Sequence, residues 1–362
     1  MKLVVDCRYT RIGRHDGISR YTAGIVTALA KRHPLTMLIS DKRQLTMLPD
    51  LPWHLISAPT SAREPLVALQ VNALNPDIVF TPMQTMGTFG RRYKLVSTLH
   101  DLIYFAHPTP PRNLPWAIRV LWRLYHLAWW PERMLLNRAD AVATVSQTTR
   151  DLMLKHRLTK REIAVVHNAA DPRPPVHRTQ PATRDLVYMG SFMPYKNVET
   201  LARALHQLPG YRLHLMSRPT DADQDRLTTL APEGSLVFHN GASDDAYDAL
   251  LAEAFALVTA SRDEGFGIPL VEAMAHGTPI AVSDIPIFTE IGGEAAVYFP
   301  SDDVNAAAAA IRSLEDPEEW QRRSRLAGAQ AATFDWDLSA DVLLDLLERV
   351  VGTRTAAPTP PN

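Results

Sequence analysis

Short apolar runs alternate with longer helical patterns along almost the whole chain, and that alternation leaves few folds open. Lys2–Asp6, Leu35–Ile39, Asp77–Thr81, Leu95–Leu99, Ala141–Val145 and Ile163–Val166 have strand length. Between them Ser19–Ala30, Pro65–Leu74, Pro115–Trp130 and Gln147–His156 carry helical patterns. Apolar strands flanked by helices pack as parallel sheets covered on both faces. The pattern breaks at Asn168–Asp185, rich in proline and poor in large apolar residues, and then restarts. Leu186–Met189, Arg212–Met216, Leu236–Phe238 and Ala256–Val258 read as strands. Val198–Gln207, Asp244–Glu253, Pro269–His276, Val304–Ser313 and Pro317–Thr333 read as helices.

A chain of 362 residues, at roughly 150 residues per domain, suits two such domains. The expectation is α/β: two doubly wound, Rossmann-like domains facing across a cleft. Their expected extents are 1–170 and 185–335, with a linker at 171–184. A C-terminal helix over 336–352 is expected to cross back to the first domain, and the Pro/Thr/Ala-rich 353–362 to be a disordered tail. Ligands of such sheets bind outside the carboxyl ends of the strands.

Composition narrows the function. With 38 basic and 39 acidic residues there is no bulk field to attract nucleic acid, so any anion site is local. The single Cys7, at the end of the first strand, excludes a disulfide framework and reads as a small buried hydrophobe. MKLVVDC is too short and too soon interrupted by Asp6 for a signal peptide, and no run reaches about 18 apolar residues. A cytoplasmic protein is expected.

The most informative stretch is Glu264-Gly-Phe-Gly-Ile-Pro-Leu-Val-Glu272, after the strand and turn Ala256–Arg262. Gly265 and Gly267 permit positive φ and close backbone approach, and Pro269 suits a first helical turn. A helix start with backbone donors between two carboxylates suits a ligand carrying both hydroxyls and phosphates. An acidic first turn stabilising a helix dipole is the bland alternative.

Glu264 to Glu272 resembles the E-x7-E motif of retaining glycosyltransferases of family 4, and SRDEGFGIPLVEAMAHGTPIAVSDIPIFTEIGGEAAVYFP around it is similar throughout. The resemblance extends to GISRYTAGIVTAL (Gly17–Leu29), VSTLHDL with His100 and Asp101, VATVSQTTRDL, VVHNAAD (Val165–Asp171) and YMGSFMPYKN (Tyr188–Asn197). It implies the GT-B fold, an acceptor-side first domain and a second domain for the nucleotide sugar. The implied activity is retaining transfer of a hexose, mannose from GDP-mannose being favoured, to a glycolipid, polyprenyl-linked or glycan acceptor. Front-face attack is implied, without metal or cofactor, the leaving diphosphate helping to deprotonate the acceptor.

The same resemblance assigns roles. Lys196 is the phosphate-binding cation; Glu264 holds donor-sugar hydroxyls and Glu272 the ribose; His100 contacts the sugar near the reacting carbon. Gly17, Ile18, Ser191, Gly265, Phe266, Gly267 and Ile268 complete the donor site. Many members carry an arginine after the glycine or before the lysine of YMGSFMPYKN, where this chain has Ser191 and Tyr195. Arg218, just past the strand Arg212–Met216, stands at a strand's carboxyl edge and reads either as a substitute second cation or as an ordinary surface arginine. Asp221 and Asp223 have the D-x-D spacing of metal-dependent transferases but read as a solvated loop. No nicotinamide, P-loop or hydrolase motif is present. A non-catalytic sugar-nucleotide-binding partner of an envelope-assembly complex and a sugar-nucleotide epimerase are the competing readings.

Trp116–Trp130 reads as one helix. Ala117, Val120, Leu121, Leu124, Leu127 and Ala128 are expected to pack on the first domain. Arg119, Trp122, Arg123, His126, Trp129 and Trp130 are then presented outward, to a membrane interface at the inner face of the plasma membrane or to an acceptor; tryptophans buried against a neighbouring element are the alternative.

Overall fold

A computed structural model describes residues 1–110, 115–171, 173, 176 and 178–352. The chain divides into two units, one formed by residues 1–168 with the segment from Asp335 onward, the other by Ala169–Phe334. Of the segment expected as a linker, residues 172, 174, 175 and 177 lie outside the described residues, as does the tail expected at 353–362. Arg173 and Arg178 are bonded into the second unit, to Asp248 at 2.8 Å and to Thr278 at 2.8 Å.

The first unit holds a seven-stranded parallel sheet. Its strands are β1 (Leu3–Asp6), β2 (Leu35–Ile39), β3 (Trp53–Leu55), β4 (Ile78–Thr81), β5 (Lys94–Leu99), β6 (Ala141–Thr144) and β7 (Glu162–Val165), in spatial order 3-2-1-4-5-6-7. Its helices are α1 (Gly17–Ala30), α2 (Val67–Asn72), α3 (Ile103–Ala106), α4 (Trp116–His126), α5 (Trp130–Leu136) and α6 (Gln147–Lys155). The second unit holds a six-stranded parallel sheet: β8 (Asp185–Tyr188), β9 (Arg212–Leu215), β10 (Leu236–Phe238), β11 (Ala256–Thr259), β12 (Ile280–Ser283) and β13 (Ala296–Phe299), in order 10-9-8-11-12-13. Its helices are α7 (Val198–Ala204), α8 (Asp221–Leu230), α9 (Asp244–Glu253), α10 (Ile268–Ala275), α11 (Pro286–Gly292), α12 (Val304–Ser313) and α13 (Pro317–Ala331); α14 (Trp336–Val351) belongs to the first unit. Both sheets are doubly wound, and strand order reverses between β1 and β4 and between β8 and β11. There the connections diverge to opposite sides and leave a crevice at the carboxyl edge.

Three expectations are corrected. Asp221 and Asp223 are not in a loop: they open α8, whose cap Thr220 accepts from the Asp223 amide, while Asp223 pairs with Arg226 at 2.8 Å. Trp116–Trp130 is not one helix. Pro131 lacks an N–H and cannot extend α4, so it occupies the first turn of α5 instead. The apolar and aromatic residues of this stretch also trade places: Leu121 is 66 % exposed and Leu127 71 %, with Val120 and Leu124 exposed as well, whereas Trp122, His126 and Trp129 are half-buried; Arg123 and Trp130 are exposed, as expected. The side chain of Ala117 lies outside the described residues. An aromatic stack accounts for the reversal. Trp129 lies between Phe105 at 4.1 Å and His156 at 4.2 Å, and Trp122 meets Tyr104 edge-on at 4.9 Å. Such pairs add about 0.5–1.5 kcal/mol each beyond the area they bury. Among the described residues no helix is long and apolar enough to cross a membrane.

Helix α14 is capped by Asp335, which accepts from the Asp337 and Leu338 amides, and lies along α1. Trp336 packs edge-on against Tyr21, and a Cβ placed on Gly24 would fall 2.3 Å from its indole. Alanine within an exposed helix would stabilise by about 1 kcal/mol over glycine. Gly24→Ala is therefore expected to do the opposite, lowering the unfolding free energy of the first unit by about 1–3 kcal/mol through overpacking, as read from urea denaturation.

Candidate active site

In the second unit, the candidate residues converge on the β8/β11 reversal. After β8 the chain runs through Gly190 and Ser191 into a single tight turn, Pro194–Lys196, and Asn197 takes a left-handed conformation, φ 50°, before α7. After β11 it runs through Ser261–Glu264 to Gly267, whose φ of 94° suits glycine and opens α10. Lys196 Nζ is paired with Glu264 Oε1 across 68 residues of sequence, both side chains largely buried. The ammonium also lies 5.4 Å from the centre of the Tyr195 ring. Phe266 is buried against Phe334, and Ile268, the first residue of α10, is half-buried. Glu272 is a buried residue on the same helix, which thus sets two carboxylates around an N-terminus.

Ser191 is exposed, and its carbonyl accepts from Tyr188 Oη at 2.7 Å, an anchor that fixes the loop. Arg218 is exposed past β9, its Nε donating to the Asn240 carbonyl at 3.2 Å. The structure therefore pairs Lys196 with Glu264 but turns Arg218 toward Asn240.

Arg262, not singled out from the sequence, clips the two loops together. Its amide donates to the Tyr195 carbonyl at 2.7 Å, Nη1 to the Pro194 carbonyl at 2.7 Å and Nη2 to Asn197 Oδ1 at 3.0 Å. An arginine two residues before an acidic motif carries no signal of this kind; only the fold brings residues 194–197 beneath it. Among the described residues no group of three or more His, Cys, Asp or Glu side chains is arranged to hold a metal ion, Asp221 and Asp223 included.

In the first unit, α1 starts at Gly17 rather than Ser19, because Asp16 is the cap and takes the Ser19 amide at 2.9 Å. The Gly17 and Ile18 amides, in the first turn, have no acceptor within the helix. Ile18 and His100 line one cavity. His100 follows β5, packs edge-on against Tyr21 at 5.0 Å, and has Nε2 2.7 Å from the Pro82 carbonyl. A carbonyl only accepts, so Nε2 carries the proton in the neutral ring. Burial pulls the pKa down to about 4, against smaller opposing effects of Pro82 and Asp16. His100 is thus neutral at pH 7, and its Nε2–H is committed to the protein.

Two family models match consecutive parts of the chain, "Glycosyltransferase Family 4" at residues 15–173 and "Glycosyl transferases group 1" at 173–331. The chain is 27 % identical over 328 residues to the O-antigen chain mannosyltransferase RfbU of Salmonella typhimurium, covering 84 % of this chain and 89 % of that one. It is 27 % identical over 271 residues to the O-antigen chain mannosyltransferase B of Escherichia coli, 68 % of each. Sucrose-phosphate synthase from Thermosynechococcus elongatus shares its GT-B fold with a TM-score of 0.76 at 21 % identity, over 98 % of this chain and 100 % of that one.

The depressed pKa has a stability consequence. Between an unfolded value of about 6.5 and about 4, the unfolded chain binds a proton at this histidine that the native chain does not, so stability rises with pH through that window. Wild type is expected to lose on the order of 1 kcal/mol more than His100→Gln between pH 7 and pH 4.5, the full linkage of about 1.4 kcal/mol per pK unit being reduced by residual solvent access. Parallel urea curves for the two proteins at both pH values check this.

Proposed function

The chain belongs to glycosyltransferase family 4, and from that premise we propose that it transfers a hexose with retention from a nucleotide-diphosphate sugar to a glycolipid, polyprenyl-linked or glycan acceptor. Mannose from GDP-mannose is the favoured donor, in keeping with the mannosyltransferases it resembles. The observation that carries the reading is the Lys196–Glu264 pair beside the glycine-rich start of α10.

Each partner of that pair has a role that the donor would claim. Diphosphate draws Lys196 Nζ to neutralise the charge that builds as the glycosidic bond breaks. Glu264, released, accepts from sugar hydroxyls, while amides of Gly265–Gly267 and Ile268 face the phosphates and Glu272 holds the ribose. The acceptor oxygen attacks the anomeric carbon on the face the diphosphate leaves, and its proton passes to the departing phosphate oxygen. Enzyme groups then need only position and stabilise, and no metal is required. Gly17 and Ile18 supply amides from the first unit, and His100, as a neutral ring, orients the sugar.

The enzyme is proposed to work from the cytoplasmic side, held at the inner face of the plasma membrane by the exposed apolar arc of α4 together with Trp116, Trp130 and the arginines of α4. Trp116 and Trp130 are exposed there with Leu124 and Leu127, and α4 carries Arg119 and Arg123 with no acidic residue.

Lys196→Ala and Glu264→Ala are each expected to lower turnover at saturating donor by about 100-fold or more, since one lost stabilising group costs about 2.7–4 kcal/mol. Near-wild-type turnover in both would overturn the site. Transfer is expected to persist in EDTA; a loss restored by Mn²⁺ would overturn the metal-free mechanism. Sedimentation with anionic liposomes is expected to weaken in salt and to fall several-fold when Leu124, Leu127 and Trp130 are replaced together by Gln. Wild type remaining in the supernatant at low salt would rule the membrane contact out.

A further inference from the structure

Beneath α4 the first unit encloses a cavity of about 540 Å³ that none of the donor-binding roles uses in full. One end is lined by Ile18 and His100, which belong to the candidate site, and by Asp101. Its middle is apolar and aromatic, with Leu102, Phe105, Trp122 and Leu135 among its walls. Ile118 and Leu121 line it as well while remaining 48 % and 66 % exposed, so the cavity runs out into the apolar arc of α4. A cavity of this size is well within the range that encloses a small-molecule ligand.

Two acidic side chains line it, Asp101 at the His100 end and Glu132, which is 1 % exposed. The Glu132 Oε2 accepts from Tyr125 Oη at 2.8 Å. Burial raises its pKa, while Tyr125 and Gln84 offset part of that rise. Outside the lining, α4 carries Arg119 and Arg123 and no acidic residue. An apolar cavity beneath a helix whose charged residues are all basic complements a molecule with an apolar tail and an anionic head.

We propose that this cavity is a binding site for the single hydrocarbon chain of the acceptor, which enters past Ile118 and Leu121 and brings the acceptor's head toward His100. This rests on the lipid-linked branch of the functional reading above and narrows it. The chemistry required is one unbranched or isoprenoid chain on an anionic head; an isoprenyl phosphate and a fatty acid share it.

Geranylgeranyl phosphate and palmitate, each below its micellar concentration, are the probes, with inorganic phosphate as control, and tryptophan emission is the readout because Trp122 lines the cavity. Wild type is expected to respond saturably to at least one chain and not to phosphate. A response to geranylgeranyl phosphate alone assigns an isoprenoid chain, and a response to palmitate an acyl one. Filling the cavity with Ile118→Phe, or independently with Leu135→Phe, is expected to weaken the chain's binding at least tenfold and to raise KM for a chain-bearing acceptor relative to a chain-free one. Ile118 is half-exposed on a helix, so that variant keeps its fold; matched circular dichroism confirms it. No saturable response to either chain, or undiminished binding in both variants, overturns the proposal. The functional reading is judged separately. Equal kcat/KM for chain-bearing and chain-free acceptors in wild type would remove the lipid-linked branch, whatever the cavity binds.

Discussion

The ion pair between Lys196 and Glu264 spans the place where the second sheet reverses its strand order, and the local architecture is arranged around it. Neither residue is near the other in sequence. Adjacent parallel strands β8 and β11 bring their carboxyl ends side by side, and their connections diverge, so no backbone crosses between the two loops. Arg262 then ties the turn Pro194–Lys196 to the approach to Glu264 through three hydrogen bonds. Without a ligand, two opposite charges held this close neutralise each other and avoid the cost of a buried lone charge. A donor with a diphosphate at one end and hydroxyls at the other can exchange that single contact for one with each partner. In the proposed reading the pair is thus both a structural clasp and the point at which the donor separates the two charges.

The first unit solves the same problem with a different buried network. Arg8, just past β1, places its guanidinium between Asp6, at 2.9 Å, and Glu64, at 2.6 Å, with the Ser57 carbonyl at 3.0 Å. Gln44 donates to the carbonyls of Arg8 and Thr10 at 2.9 and 2.7 Å. These bonds fix the start of the loop that ends in Asp16 and the first turn of α1. Removing one member of such a buried group leaves an uncompensated charge, at a cost of about 3–5 kcal/mol. A loop that delivers backbone amides to a ligand gains from being held this way, because its geometry does not have to be re-established on binding.

The alternation of strands and helices was legible because a parallel strand buried on both faces must be apolar along its length. Asp244–Glu253 and Val304–Ser313 match their helices to the residue, each with an Ser or Asp cap just before it. β3 escaped notice because its three residues are all exposed, so no apolar run marks it. Asp221-Ala-Asp223 was misread because acidic residues look like solvated loop when the Thr220 cap before them is overlooked. The motif residues around Glu264 could be placed by resemblance, whereas Arg262 and Glu132 could not: each matters only through partners that the fold supplies from distant segments.

The reversed helix α4 teaches the sharper lesson. Helical periodicity separates two arcs, but it does not say which one the protein keeps. Hydrophobicity alone would turn Val120, Leu121, Leu124 and Leu127 inward, and leaving each in water forgoes about 1.5–3 kcal/mol of burial. What competes is the opposite arc, where Trp122, His126 and the following Trp129 present larger surfaces to partners on α3 and just past α6: Tyr104, Phe105 and His156. The aromatic arc fits the protein and the aliphatic arc does not, so the fold spends its contacts on the rings. An aliphatic arc left bare, beside two arginines and above an apolar cavity, is costly in water and inexpensive against hydrocarbon. The balance of forces that sets this helix thus ties its orientation to the surroundings in which the enzyme is proposed to meet its acceptor.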